Sequence, residues 1–377
     1  MLLELSSEQD LFTRTTARFL DGQVPVTELR RLRDDPVGFG KDYWRRGAEL
    51  GWTSLLVPES HGGVAVSDSG LIDLSLVAFE FGKHAAPGPL LSSNVIASTL
   101  ALTNTREDLI AGLLEGTSIA GWAFSELPPN DGLHPGLEIR VEGNELVLNG
   151  IKRPVESAAQ ASFFLVTGRT GSGLTQVVVP ADTQGVSVVA MRNVDLTRRF
   201  GAVKFENVRL PVGALVGDLG AAAADVERQL QQALVVLNAE AVGAMQRGFD
   251  MTVEWSFDRY SFGRPLASYQ ALKHRFAQMA TWLQASHAIS DEAARAVASD
   301  SPDAGELVSA AKAYIGQNGV ELLQDCVQMH GGIGVTYEHD LHLYLRRGTL
   351  NRALLGTSDV HYRRVANFVA KKEAARG

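Results

Sequence analysis

The spacing of apolar residues changes twice along this chain of 377 residues, and this change limits the folds that it can adopt. Apolar side chains recur every three or four residues up to about residue 115, every second residue from about Ser118, and every three or four again from Ala222. This order predicts helices, then a small sheet, then helices. Because strands and helices do not alternate, a doubly wound nucleotide-binding sheet is not expected.

The longest helical pattern lies in the last part of the chain. Apolar residues three or four apart continue there for about eight turns, at Val226, Leu230, Leu234, Leu237, Ala241, Met245, Phe249 and Val253. Similar patterns cover 272–289, 307–326, 338–350 and 354–371. Long amphipathic helices with short connections predict a four-helix bundle.

The middle of the chain has the pattern of short strands. Leu137, Ile139 and Val141 alternate with polar residues and precede a Gly-Asn turn signal. Further strands are predicted at 163–168, 176–180, 185–191 and 202–208. Strands this short and this close together favour a small antiparallel sheet or barrel.

Length and composition agree with a chain of several domains. The chain is longer than one compact core usually requires, and its 45% hydrophobic and 21% charged residues are ordinary globular values. We predict an N-terminal α-helical domain at 1–116, a middle β-domain at 117–217 and a C-terminal four-helix bundle at 218–377. The predicted fold class is therefore a multidomain α+β protein.

Charge and cysteine content limit the partners and the location. A net charge of −8 and a pI of about 5.6 argue against nucleic acid and anionic membranes, which need a basic face, although a local basic pocket for a phosphate-rich ligand is compatible. The one cysteine, Cys326, excludes an intrachain disulfide and a cysteine metal cluster and suits a reducing compartment. The start MLLELSSEQD lacks signal-peptide features, and no apolar run of about 18 residues predicts a membrane span. We expect a cytoplasmic protein.

Two segments near the C-terminus carry the most specific motifs. They are DRYSFGRPLASYQALKHRFAQM at 258–279 and CVQMHGGIGVTYEHDLHLYLRR at 326–347. With LGWTSLLVPESHGG at 50–63 and NGIKRPVES at 149–157, they closely resemble the acyl-CoA dehydrogenase family over nearly the whole chain. The resemblance implies FAD-dependent α,β-dehydrogenation of an acyl-CoA, with an electron-transfer flavoprotein or a similar protein as electron acceptor.

The resemblance also implies which residues contact FAD. In this family an R-x-x-F-G motif, a Gln eleven residues after its Arg, and a Q-x-x-G-G motif help to hold the FAD of the neighbouring subunit. The matching residues are Arg259, Phe262, Gln270, Gln328, Gly331 and Gly332. A guanidinium binds phosphate through charge-assisted hydrogen bonds, and paired glycines let backbone N–H groups approach a pyrophosphate. The alternative is that Arg259 and the glycines only terminate helices.

The catalytic base of the family has no match. Many members carry a Glu directly before a Gly-Thr pair near the C-terminus, where this chain has Leu355. Other members place the Glu on the first bundle helix, at a position that we align with Ala233. Glu240, seven residues further on the same helix face and about 10 Å along the axis, is the remaining acidic candidate. The alternative is that Glu240 pairs with a basic side chain inside the bundle.

The flavin face differs from the family too. Many members read N-G-x-K-x-W-I-T, in which the Trp and Thr contact the isoalloxazine, but Pro154 and Glu156 stand at those positions here. A carboxylate is a poor hydrogen-bond donor. The family's Thr-Glu-Pro stretch appears as FSELPPNDG at 124–132, in which Ser125 and Glu126 keep part of the pattern.

These differences favour a subunit of a heteromer. The residues that reach into a neighbour's site are present, whereas those of the chain's own site are missing. Some bacterial acyl-CoA dehydrogenases are α2β2 assemblies, several in steroid side-chain degradation, and the segment 330–347 resembles one of their two subunit types. The alternatives are a homomeric dehydrogenase with Glu240 as base, a flavin oxidase or monooxygenase, and a non-catalytic structural partner.

Two features of the last motif have simpler interpretations. His339, Asp340 and His342 have no further ligand in evidence, so no metal site is expected. We expect Arg346 and Arg347 on a solvated face or in pairs between subunits.

Overall fold

The computed structural model describes residues 4–128 and 131–376. Its N-terminal part is helical, with α1 (Ser7–Gln23), α2 (Val26–Leu32), α3 (Lys41–Glu49), α4 (Gly70–Lys83), α5 (Leu90–Leu102) and α6 (Ile110–Leu114). Ser6 starts α1 through a capping box: its hydroxyl accepts the Gln9 N–H at 3.2 Å, and the Gln9 side chain accepts the Ser6 N–H at 3.1 Å. No helix in the described part of the chain is long and apolar enough to cross a membrane.

An aromatic cluster forms the centre of the N-terminal helices. Trp52 is completely buried, and its ring lies 5.0 Å from that of Phe81 and 5.2 Å from that of Phe19 in edge-to-face contact. Its Nε1–H donates to the Thr16 hydroxyl at 3.2 Å, so the buried donor is satisfied. A Cβ at Gly47 would lie 2.3 Å from this ring, which explains why α3 carries glycine where it meets Trp52.

The middle sheet contains β1 (Ala120–Ala123), β2 (Glu138–Glu142), β3 (Glu145–Glu156), β4 (Phe163–Thr170), β5 (Gly173–Pro180), β6 (Val186–Met191), β7 (Phe200–Pro211) and β8 (Leu215–Val216). The strand order is β6-β7-β3-β2-β4-β5-β8, with β1 beside β4. Along the strands, every second side chain points to the buried face of the sheet. These side chains form a hydrophobic cluster that is separate from the core of the helices.

The expectation of an antiparallel sheet or barrel is wrong in two respects. β1 runs parallel to β4, because the intervening β2–β3 hairpin supplies a connection long enough for a parallel crossover. The end strands β6 and β8 do not pair with each other in the described residues, so the sheet is mixed and open.

The C-terminal part is a helical bundle. It contains α7 (Ala223–Asp258), α8 (Gln270–Ala298), α9 (Ala304–His330), α10 (Leu341–Ala353) and α11 (Ser358–Arg376), with a hairpin of β9 (Tyr260–Ser261) and β10 (Arg264–Pro265) after α7. α8 and α9 are antiparallel, since Arg275 near the start of α8 pairs with Asp325 near the end of α9 at 2.5 Å.

The longest helix joins the bundle to the N-terminal helices. α7 is about 54 Å long, and it packs on α4 with backbone touching backbone. A Cβ at Gly243 would lie 2.0 Å from the carbonyl oxygen of Phe79, and one at Gly82 would lie 1.9 Å from that of Glu240. Only glycine permits this close approach of the two helix backbones. The two helical parts of the chain share one hydrophobic core.

Candidate functional site

The structure brings the six residues of the two FAD motifs to one end of the bundle. Arg259 follows the last turn of α7, where Trp255 stacks on His330 at a centroid distance of 5.3 Å, and His330 directly precedes the glycine pair. Gln270 begins α8, which lies beside the end of α9 because the two helices are antiparallel. The ends of α7 and α9 and the start of α8 therefore form one surface.

The side chains on this surface are free to bind a partner. Arg259, Gln270 and Gln328 are exposed, and Phe262 is 97% exposed. Within residues 4–128 and 131–376, the guanidinium of Arg259 makes no ion pair or hydrogen bond. In the same part of the chain, the side chain of Gln270 hydrogen-bonds His274 of its own helix at 2.9 Å.

The glycine pair has open space around it. Gly331 has a φ of +65°, which suits glycine and ends α9. A Cβ at Gly331 or Gly332 would meet nothing within 4 Å, so packing inside this chain does not require glycine at Gly332. The N–H groups of this segment therefore lie where an external group can approach the backbone closely.

The same end of the bundle is locally basic in an acidic chain. The segment 258–273 holds the bases Arg259, Arg264 and Lys273 and the single acid Asp258. None of the three bases forms an ion pair in the described part of the chain, and the Arg264 guanidinium instead lies 3.9 Å from the centre of the Tyr269 ring. Free guanidinium, amide and backbone donors fit the pyrophosphate of FAD, because that group is anionic and rich in acceptor oxygens.

A second candidate site is a cleft between the sheet, α5, α7 and the end of α10. Pro154, Glu156 and Leu355 all line it, so the three positions that depart from the family's ring contacts and base meet in one place. Its remaining wall is mostly apolar, and its volume is about 40 Å³. This is room for a few water molecules.

A buried network of ion pairs closes one side of this cleft. Glu156 accepts two hydrogen bonds from the Arg198 guanidinium, at 2.6 and 2.8 Å. Arg198 also donates to Glu240 at 3.3 Å. Arg347 donates to Glu240 and to Asp195. These five side chains, three carboxylates and two guanidiniums, are each at most 8% exposed.

The network joins the three regions of the chain. Arg347 on α10 donates to the carbonyl oxygens of Ala85 and Ala86, just after α4, at 3.1 and 3.0 Å. It also donates to Thr197 in the loop before β7 at 2.6 Å. The expectation that Arg347 is solvated or pairs between subunits is wrong, because Arg347 is 0% exposed and its donors are used inside the chain.

Burial and pairing set the charges of the network. Burial raises the pKa of Glu156, although Arg198 opposes the shift. Burial also disfavours ionisation of Asp195, but Arg347 and the Thr197 N–H more than offset it and hold the pKa of Asp195 below its usual range. For Arg347, burial is outweighed by Asp195 and Glu240, which raise its pKa. Both guanidiniums therefore stay charged.

The structure also places the candidate base positions. Glu240 has both carboxylate oxygens in ion pairs, which favours the structural interpretation of this residue over the role of a base. Ala233 is buried in the core of α7, and Leu355 lies half-buried in the cleft wall. Glu156 is the one carboxylate among the cleft's described lining residues, and Arg198 occupies both of its oxygens.

The cleft therefore does not fit a flavin ring. The Glu156 carboxylate offers no hydrogen-bond donor toward the ring, and Arg198 occupies both of its oxygens. Sequence reasoning identified Pro154 and Glu156 but missed Arg198 and Asp195, because neither lies in a recognisable motif. The only local signal for this region was the polar-rich stretch between β6 and β7.

Comparisons with known proteins agree over the whole chain. The model of the acyl-CoA dehydrogenase N-terminal domain matches residues 6–111, and that of the C-terminal domain matches 223–370. Acyl-CoA dehydrogenase IpdE2 of Mycolicibacterium smegmatis is 30% identical over 364 residues, covering 96% of this chain and 98% of the relative.

Solved structures are similar as well. The Tcur3481-Tcur3483 steroid ACAD, solved as a variant, has a TM-score of 0.89 and 25% identity and covers 97% of this chain and 99% of that chain. A glutaryl-CoA dehydrogenase from Mycobacterium smegmatis in complex with FADH2 has a TM-score of 0.85 and 18% identity, covers 97% and 95% of the two chains, and supports the fold alone.

Proposed function

This chain belongs to the acyl-CoA dehydrogenase family of FAD-dependent enzymes, and we propose that it is one subunit of a heteromeric acyl-CoA dehydrogenase. In this proposal the chain supplies FAD contacts to a homologous partner, which carries the catalytic Glu and the Trp-Ile-Thr flavin loop. The assembly is proposed to be an α2β2 heterotetramer.

One contrast within the molecule carries the proposal. The residues that would hold the FAD of a neighbour are exposed, and the arginine among them has no ion pair in the described residues, whereas in the chain's own cleft Arg198 occupies the Glu156 carboxylate at the position of the family's flavin contact. In a homotetramer of this chain, the FAD contacts of each subunit would face the cleft of a neighbouring subunit, and all four clefts would be of this kind. The pairing of Glu240 with Arg347 and Arg198 also works against a homomer that uses Glu240 as its base.

The proposed mechanism divides the work between the two chains. Bound FAD would supply the acceptor for the hydride that leaves the β-carbon of the acyl-CoA, and the partner's Glu would remove the α-proton. Arg259 would hold a phosphate of FAD, and the N–H groups near Gly331 and Gly332 would approach the pyrophosphate. Phe262 would cover the partner's cofactor and exclude water from it. Gln270 and Gln328 would orient the nucleotide through their amides.

The comparisons support two further parts of the proposal. The similarity to a steroid ACAD supports a steroid side-chain acyl-CoA as the substrate of the assembly. Membership of the family supports an electron-transfer flavoprotein as the acceptor of electrons.

The flavin content of the chain, alone and with its partner, tests the proposal. The partner is chosen as a homologue that carries both the Trp-Ile-Thr loop and the Glu. We expect a colourless chain alone and a yellow complex with one FAD per pair of unlike chains. One FAD per chain in the isolated protein, together with turnover of acyl-CoA, would contradict the heteromer.

A single substitution tests the role of the exposed arginine. Arg259→Ala removes charge-assisted hydrogen bonds worth about 1.5–3 kcal/mol, so we expect FAD to bind the complex about 10–150-fold more weakly. Arg295→Ala is the matched control, because Arg295 is an exposed arginine at the other end of α8 with only a 3.7 Å contact to Glu292. Equal FAD affinity in both variants would instead favour a structural partner that does not touch the cofactor.

A further inference from the structure

The glycine pair belongs to a short loop whose two ends touch. This loop, residues 331–338 and named here the glycine loop, leaves α9 after His330 and ends before His339. The ring centroids of His330 and His339 lie 4.5 Å apart, and the ring of Trp255 on α7 stacks on that of His330. The neck of the loop is therefore fixed by three packed rings, as in a compact surface loop with adjacent ends.

The hydrogen bonds of the two histidines fix their rings. Nδ1 of His330 donates to the carbonyl oxygen of Cys326 at 2.8 Å, within the last turn of α9. Nδ1 of His339 accepts the N–H of Leu341 at 3.2 Å, at the start of α10. Each ring is thus tied to the helix on its own side of the neck, and the loop cannot turn about this point without breaking one of these contacts.

The outer side of the glycine loop is held from another region of the chain. Arg30 of α2 donates to the carbonyl oxygen of Glu338 at 2.6 Å and pairs with Asp340 at 2.5 Å. The guanidinium of Arg33 lies 4.9 Å from the centre of the Tyr337 ring. Arg30 lies in α2 and Arg33 directly follows this helix, and both are about 300 residues away from the loop in sequence.

A second guanidinium, that of Arg346, also contacts Tyr337. Arg346 of α10 lies 5.5 Å from the centre of the same ring and donates to the Tyr337 hydroxyl at 3.1 Å. Its other terminal nitrogen donates to the carbonyl oxygen of Val194 at 3.1 Å, in the loop after β6. Tyr337 is thus packed against Arg33 and Arg346, although 51% of it is exposed.

We infer that Arg30 and Arg33 are positioning residues for the flavin nucleotide of the shared site. They act through the glycine loop, because they hold Tyr337 and Glu338 and thereby fix the backbone of Gly331 and Gly332 before FAD arrives. A loop ordered in advance loses less conformational entropy on binding, which strengthens affinity without a new contact to the ligand. This inference rests on the proposed function.

Neighbouring arginines in the sequence make the experiment specific. The segment ELRRLRDD, which covers the end of α2 and the residues after it, also contains Arg31, which pairs with Glu28 of the same helix at 2.6 Å and does not reach the loop. Arg31→Ala is therefore the matched control for the double variant Arg30→Ala/Arg33→Ala. Dissociation constants for FAD are measured on the complex with the partner chain.

We expect the double alanine variant to bind FAD about tenfold more weakly, equivalent to about 1.4 kcal/mol, and the Arg31→Ala control to bind as the wild type does. The double variant Arg30→Lys/Arg33→Lys separates position from charge. Lysine keeps the charge and one donor group at residue 30 but loses the planar stacking of Arg33 on Tyr337, so positioning predicts a part of the loss seen with alanine. Wild-type affinity in the lysine variant would overturn the inference in favour of a charge effect.

A substitution on the loop itself gives an independent test. Tyr337→Ala removes the ring that the arginines grip, and hydrogen exchange of the amides at 331–338 should become faster while exchange in α8 stays unchanged. The same local change is expected in the double alanine variant. Wild-type exchange and wild-type FAD affinity in both variants would refute the positioning role. A wild-type complex that holds no flavin would instead refute the proposed function, so the two failures are distinguishable.

Discussion

Replacing Glu240 with Gln tests whether this residue is structural or catalytic. Glu240 is 7% exposed, and its oxygens accept from Arg347 and, at 3.3 Å, from Arg198. Glutamine has the same size, but one of its two terminal groups is an NH2 that can only donate. Since both neighbours are guanidiniums that also only donate, the variant necessarily places one donor against another and removes a charge from the network.

The magnitude follows from the remaining partners. Breaking a buried ion pair costs about 3–5 kcal/mol, and the lower end applies because Arg198 keeps Glu156 and Arg347 keeps Asp195. At about 2.1 cal/mol/K per residue, the unfolding entropy of 377 residues is about 0.8 kcal/mol/K. A loss of about 3 kcal/mol therefore lowers the Tm by about 4 °C.

Calorimetry of the isolated chain and turnover of the complex together distinguish the two roles. We expect Glu240→Gln to lower the Tm by this amount and to leave kcat within about twofold, because the residue does not line the cleft. Glu227→Gln on the same helix is the control, since Glu227 pairs with Arg364 at 2.7 Å but is partly exposed and should cost less than about 1 kcal/mol. An unchanged Tm with a fall in kcat of about a thousandfold or more would refute the structural interpretation and identify Glu240 as the base.

Three further predictions concern buried ionisable groups. Burial lowers the pKa of Lys312 to about 7, below the unfolded value of 10.5. The free energy of unfolding should therefore rise from about pH 7 to 10.5, by up to about 1.4 kcal/mol per pH unit. A Lys312→Met variant should lack this rise when urea midpoints are measured over the same range. Burial lowers the pKa of both His287 and His361 to about 4. Each neutral histidine therefore contributes up to about 3 kcal/mol to the free energy of unfolding, which is present above pH 6.5 and lost as the pH falls through 4. A free energy of unfolding that stays constant over that pH range would contradict this. Glu126→Gln should cost about 3 kcal/mol in urea unfolding, because it leaves the fully buried Lys152 without its carboxylate at 2.7 Å, and a loss below about 0.5 kcal/mol would show that the pair is not stabilising.

The helical repeat predicted some helices well and could not predict others. In α7 the apolar residues three or four apart, such as Val226 and Leu230, are buried because only one stripe of the helix faces the core. α5 has no such stripe: all but its last residue are buried, so its apolar and small residues surround the axis and leave no period to detect. In α1, Leu11 is 61% exposed while Thr16 is buried, so apolar character alone does not mark the buried face of this helix.

The candidate site likewise contains residues that the sequence could predict and residues that it could not. Arg259 and Gln328 stand in contiguous motifs, so their sequence context was enough to single them out. The buried network joins Glu156, Arg198 and Glu240, which lie 42 residues apart in each step. No local pattern marks such partners, because the fold alone brings them together. Sequence reasoning therefore identified the positions at which the family's flavin contacts and base are replaced, but not the ion pairs that Arg198 makes in the wall of the cleft.

The exposed aromatic residues at the end of the bundle have a consequence for how the cell must produce this protein. Phe262 is 97% exposed, and Phe257, Tyr260 and Val335 are each exposed by at least 63%. A newly made chain without a partner therefore displays an apolar patch that favours self-association and recognition by chaperones and proteases. In the proposed heteromer, balanced synthesis of the two chains, for example from adjacent genes translated together, would keep this patch covered and protect the unpaired copies from loss.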